Sequence, residues 1–94
     1  MAERTVVVAS RTGLHARPAK IFVQEAVRLG LPVRIAVGSG KSVPATSMLG
    51  VLSLGAVHGV EVTLSAEGPE GQAAVDTLAE LLARDLDAEE PADG

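Results

Sequence analysis

His15 and Arg17 are the residues whose types and spacing could do chemistry in this 94-residue chain. They sit in the run Gly13-Leu14-His15-Ala16-Arg17-Pro18. An imidazole titrates near pH ~6.5, so at neutral pH it offers a neutral, nucleophilic nitrogen. Two residues on, the Arg17 guanidinium matches the oxygens of a phosphate as a planar fork. Pro18 suits the first turn of a helix, where its missing N–H costs nothing. That puts His15 at or just before a helix N-terminus, where free backbone N–H groups and the helix dipole favour an anion. A phosphoryl group accepted by His15 would be stabilised by these neighbours, with Arg11 and Lys20 adding longer-range attraction. The competing interpretation of the same residues is a surface histidine with chance basic neighbours. A histidine-dependent hydrolase would need a spaced carboxylate partner, and the acids cluster after residue 60.

The elements that must position these residues follow from periodicity. Thr5 to Ser10 is a β-branched run and reads as a strand. Residues 11–15 form a loop with Gly13 as its flexible point. Ala19, Phe22, Val23 and Ala26 recur at helical spacing, giving a helix over about residues 16–29 that Gly30 closes. Val33, Ile35 and Val37 alternate with Arg34 and Ala36 as a second, half-buried strand. A turn at residues 38–40 leads to a short returning strand, Lys41 to Val43, and Pro44 blocks further pairing. Thr46 or Ser47 can cap a short helix containing Met48, Leu49, Val51 and Leu52. Val60, Val62 and Leu64 mark a fourth strand. Ala74, Val75, Leu78, Leu81 and Leu82 mark one face of a last helix, about residues 70–86.

The order is β-α-β-β-α-β-α. Alternation along the strands means that one sheet face is wet and the helices cover the other, a two-layer α+β sandwich. A ferredoxin-like fold shares the first six elements. Residues 1–88 are expected as one domain and residues 89–94 as an acidic flexible tail.

Composition narrows the function. The chain is 47% hydrophobic and 21% charged, an ordinary globular balance. Phe22 is its one aromatic residue, which argues against base-stacking nucleic-acid modules. The absence of cysteine excludes thiolate metal sites and cysteine nucleophiles. The two histidines, His15 and His58, have no structural-metal spacing, so neither metal nor cofactor is expected. His58, in a glycine-flanked turn, reads as a surface residue. No apolar run approaches 18 residues, so no membrane insertion is expected, and a cytoplasmic protein follows by default. Charge is split along the chain. Residues 1–60 hold seven bases and two acids, a net of +5, whereas residues 61–94 hold one base and ten acids, a net of −9. The basic half contains Arg11, His15, Arg17 and Lys20 and can attract an anion or an acidic partner.

Residues 13–19, Gly-Leu-His-Ala-Arg-Pro-Ala, resemble the active-site motif of HPr, the histidine-containing phosphocarrier family of the bacterial sugar phosphotransferase system. Residues 46–55, Thr-Ser-Met-Leu-Gly-Val-Leu-Ser-Leu-Gly, resemble that family's second signature. The resemblance implies an antiparallel four-stranded sheet with three helices on one face. It implies a carrier rather than a turnover catalyst: His15 takes a phosphoryl group from phospho-enzyme I on Nδ1 and passes it to enzyme IIA. Arg17 would balance charge on that group, with Ala16 and Pro18 supporting the phosphate. Ser47 matches the position that HPr kinase/phosphorylase modifies in some relatives, which would bring in a catabolite-control transcription regulator. The plainer interpretation is that Ser47 only caps its helix. Lys20, Gln24, Met48, Leu49, Val51 and Leu52 are the expected docking residues, and a monomer is expected. The alternative is a regulatory paralogue, of nitrogen-branch or catabolite-control type, acting through protein binding.

Overall fold

A computed structural model describes residues 2–10, 13–14, 16–38 and 40–84. Four strands and three helices run in the order β1 (Ala2–Val7), α1 (Ala16–Leu29), β2 (Val33–Val37), β3 (Val43–Pro44), α2 (Met48–Ser53), β4 (Glu61–Ala66) and α3 (Gly71–Leu82). The sheet order is β1-β4-β2-β3 and every pairing is antiparallel. All three helices pack on one face, as the strand alternation requires. Along β4, Val62, Leu64 and Ala66 are buried against the helices, while Glu61, Thr63 and Ser65 take the other face. Across that open face the Thr5 and Thr63 hydroxyls lie 3.3 Å apart.

Burial explains the helices. In α1 the predicted apolar stripe holds: Ala19, Phe22 and Ala26 are fully buried. Gly30 ends the helix with a left-handed backbone, φ 70°. In α3 the buried stripe is Ala74, Val75, Leu78, Ala79 and Leu82. Arg4 of β1 reaches Asp76 of α3 at 3.0 Å, tying the edge strand to the helix layer. Both partners are substantially exposed, so this bond orients more than it stabilises.

Four expectations move. β1 covers Ala2–Val7 rather than Thr5–Ser10, because its partner β4 ends at Ala66 opposite Ala2. Val8 still bonds to Val60, through its N–H at 2.9 Å, but past the regular ladder. The returning strand is only Val43–Pro44, so Pro44 lies inside the pairing, opposite Arg34. That is tolerated because β3 is an edge strand. Ser42, expected in the strand, instead receives the Arg34 guanidinium, 2.9 Å from its hydroxyl and 3.0 Å from its carbonyl. Ala36, placed on the wet face, is buried at 8% exposure because β2 has neighbours on both sides. The last helix is the shorter Gly71–Leu82. The expected domain boundary at residue 88 and the tail at 89–94 lie outside the described residues.

Chain direction decides what meets where. β1 runs away from Ala2, and α3 starts beside Ala66, next to Ala2, and runs the same way. The end of α3 therefore arrives at the end of β1, where the Ala9 N–H donates to the Leu82 carbonyl at 3.1 Å. The segment after α2 comes to the same end, with Gly59 N–H donating to Val8 and Leu14 N–H to Ala56. One end of the sandwich thus gathers the loop before α1, the start of α1, the exit of α2 and the end of α3.

Phe22 is the largest fully buried side chain among the described residues and belongs to the core cluster. Phe22→Ala is expected to lower stability by about 3–5 kcal/mol. Urea unfolding followed by circular dichroism checks it, since the chain has no tryptophan.

Candidate functional site: the loop before the first helix

The loop is fixed by backbone contacts that a glycine makes possible. Gly13 has φ 73°, a left-handed conformation that side chains disfavour. A Cβ at this position would stand 2.4 Å from the Ala56 carbonyl oxygen and 2.7 Å from the Val57 Cα. Only glycine lets the two segments approach so closely. Gly13 N–H donates to the Ser10 carbonyl at 2.9 Å, and Leu14 N–H to the Ala56 carbonyl at 2.7 Å. Leu14 is then buried in the core at 2% exposure. The chain is held up to residue 14, and α1 begins at Ala16.

His15 and Arg11 lie outside the described residues. Their chain neighbours bracket the site: Leu14 before His15 is anchored, and Ala16 after it opens the helix. Arg17 falls in the first turn of α1 and is half-buried, while Pro18, also in that turn, is buried. No acid occupies the first turn, so nothing in it competes with an incoming anion for the helix N–H groups. Lys20 and Gln24 are exposed on α1. Further along, Arg28 hydrogen-bonds Glu25. That bond holds the Glu25 carboxyl below its usual range, against the opposing pull of its partial burial, and it raises Arg28. Arg28 is thereby paired within α1, whose other bases are Arg17 and Lys20. The pair's contribution is present at neutral pH and fades as pH falls through the lowered carboxyl pKa.

The short helix α2 settles a choice the sequence left open. Ser47, not Thr46, is its N-cap: the Ser47 hydroxyl oxygen accepts from the Gly50 N–H at 3.0 Å. Met48 and Leu49 are exposed, Leu49 at 82%. Leu52 is partly buried against the core. Val51 corrects an expectation: it is fully buried within the core cluster that Leu52 only borders, and so offers no docking surface. Val57, which sequence reasoning missed, is 59% exposed and its Cα borders Gly13. A valine in a non-periodic segment carries no pattern that marks it, and only the contact with the loop does. His58 beside it is exposed, as expected.

The arrangement is open rather than enclosed. A cavity of about 450 Å³, lined by Pro32, Arg34, Pro44 and Glu67 among others, lies at the opposite end of the sheet. Among the described residues no group of histidines and acids could hold a metal ion, and no helix is long and apolar enough to cross a membrane.

These features describe an open-faced α+β sandwich whose first helix opens, with no acid in its first turn, just after the anchored Leu14. A family model described as the PTS HPr component phosphorylation site matches residues 2–84. The phosphocarrier protein HPr of Streptomyces coelicolor is 49% identical over 87 residues, covering 93% of this chain and 94% of that protein. The crystal structure of HPr-C-His from Thermoanaerobacter tengcongensis superposes with a TM-score of 0.85 at 38% identity, covering 97% of this chain and 100% of that one. The crystal structure of the Bacillus subtilis catabolite-repression protein Crh, described as a domain-swapped dimer, matches at TM-score 0.67 and 44% identity, over 90% of this chain and 97% of that one. The chain belongs to the HPr family, the phosphocarriers of the sugar-transporting phosphotransferase system. Members of this family carry a phosphoryl group rather than catalyse turnover. The Crh dimer differs from the monomer expected for this chain.

Gly13→Ala adds a Cβ where neither backbone nor space allows one. The expected cost is about 2–4 kcal/mol, read as a fall in the urea midpoint, together with shifted amide resonances at Leu14 and Val57.

Proposed function

We propose that His15 is the phosphoryl acceptor of this carrier, taking the group from phospho-enzyme I and passing it to enzyme IIA. The observation that carries this is the placement of Arg17 and the first turn of α1 immediately after an anchored Leu14, with no acid in that turn. Transfer between proteins needs little covalent work from the carrier. It needs positioning and charge balance. A new phosphoryl dianion at His15 meets the Arg17 guanidinium and the helix N-terminus. Ala16 and Pro18 support the same turn without adding charge.

An open site suits a carrier that must meet a donor and an acceptor in succession. Lys20, Gln24, Met48, Leu49 and Val57 form the proposed docking surface, with Leu52 at its edge. Exposed apolar side chains such as Met48 and Leu49 adapt to more than one partner surface. The basic charge nearby favours acidic partners.

Ser47 is the proposed regulatory site. Its oxygen already faces a backbone N–H at the helix start, so a phosphate there would keep that donor while adding about −1.5 to −2 charge beside the docking side chains Met48 and Leu49. A kinase of the HPr kinase/phosphorylase type and a catabolite-control regulator would be its partners. The similarity to Crh favours keeping this second role in view.

Two measurements test these readings. His15→Ala is expected to abolish phosphoenolpyruvate-dependent, acid-labile labelling by enzyme I, whereas labelling that survives in the variant would sink the assignment. Ser47→Ala removes the cap and is expected to cost about 1 kcal/mol in stability while leaving His15 labelling intact. Loss of labelling in Ser47→Ala would instead make Ser47 part of the transfer site.

A further inference from the structure

The open face of the sheet is hollow at one end. Across it, Ser65 of β4, Arg34 of β2 and Pro44 of β3 lie side by side in register. Glu67, Pro32 and Thr46 continue these three chain segments past that row and line the same cavity, about 450 Å³ in volume. That volume falls within the range of small-molecule sites, about 300–1,000 Å³. The hollow arises from side-chain size. Ser65, Thr46 and the two proline rings are short, whereas Arg34 and Glu67 are long and stand diagonally across the β2–β4 register. The lining is mainly apolar and includes the buried Val33 and Ala66.

We propose that this cavity binds a small zwitterion, a free α-amino acid or short peptide with an apolar side chain. Its carboxylate sits on the Arg34 guanidinium and its ammonium on the Glu67 carboxylate.

Arg34 is prepared for a carboxylate. Its Nε donates to the Ser42 hydroxyl at 2.9 Å and its Nη2 to the Ser42 carbonyl at 3.0 Å, which fixes the guanidinium plane. Nη1 has no partner among the described residues, so the end of the fork remains for a ligand's carboxylate. Glu67 is exposed and joins no ion pair among the described residues. Ser65 and Thr46 add hydroxyls that both donate and accept. A simple anion would meet Glu67 as well as Arg34, and a simple cation would meet Arg34 as well as Glu67. A zwitterion answers both charges. An apolar side chain on it rests against Pro32 and Pro44, whose rings carry no N–H to satisfy. The cavity lies at the opposite end of the sheet from the loop before α1, so the site stands independently of the reading of His15.

The test titrates the full chain with leucine and with alanyl-leucine and follows backbone amide resonances. A ligand of roughly ten heavy atoms supports a Kd in about the millimolar range. Saturable shifts centred on Val33, Arg34, Ser65 and Glu67 are expected. Saturation by leucine assigns a free amino acid, and saturation by the dipeptide alone assigns a short peptide. N-acetyl-leucine and leucine amide each lack one charge and should bind about tenfold more weakly or worse. Glu67→Gln and Arg34→Gln should each cost a similar factor, with Glu67→Gln discriminating against leucine but not against N-acetyl-leucine. Since Arg34→Gln also removes the bonds to Ser42, Ser65→Leu serves as a second variant: it fills the hollow, keeps both charges and should abolish the shifts. Equal binding of the blocked compounds overturns the zwitterion. Unchanged binding in Ser65→Leu, shifts centred on residues 13–20, or no saturable shift with either zwitterion overturns the site.

Discussion

The close approach of Gly13 to Ala56 and Val57 is the constraint on which the site depends. Three segments far apart in the chain meet there: the end of β1, the start of α1 and the exit from α2. The Leu14 N–H to Ala56 carbonyl bond at 2.7 Å closes the contact, and the buried Leu14 side chain locks it into the core. A residue with a Cβ at position 13 would separate the segments. With them together, α1 must begin where it does, and Arg17 and Pro18 occupy its first turn.

That constraint also explains why a carrier works without an enclosed pocket. Catalysts gain from excluding water around the reacting group. A carrier has to present its group twice, to different proteins, and release it both times. Here Gly13 and Leu14 are fixed by backbone bonds and burial, while Lys20, Met48 and Leu49 stay exposed. Charge on α1 is managed in the same spirit. Arg28 is satisfied by Glu25 a turn away, and no acid stands in the first turn at the other end of the helix.

Much of the fold was legible because periodicity reports burial. The α1 boundaries follow from Ala19, Phe22 and Ala26, with Gly30 as terminator, and the structure reproduces them at Ala16–Leu29. β4 reads as cleanly, since Val62 and Leu64 alternate with polar residues against a single covered face. β1 was less legible: Val6, Val7 and Val8 are β-formers throughout, and only the pairing of Ala2 with Ala66 fixes where the ladder lies. Pro44 misled because a prohibition that holds for central strands relaxes at an edge. For the short helix α2, four apolar residues in six gave no face to choose. The structure buries Val51 and exposes Leu49.

The sequence by itself determined the chemistry on offer and the elements that carry it. The histidine, the arginine two residues later and the proline that starts a helix are local facts, as are the alternating strands and the apolar helix stripes. Such signals survive in one dimension because they depend on neighbours within a turn or a strand. Tertiary structure alone decided which end of the sandwich becomes the site. It brought Val57 to the loop, sent Val51 to the core and set the end of α3 against Ser10. Each of these depends on contacts between residues tens of positions apart, through strand order and chain direction, and no local pattern encodes such contacts.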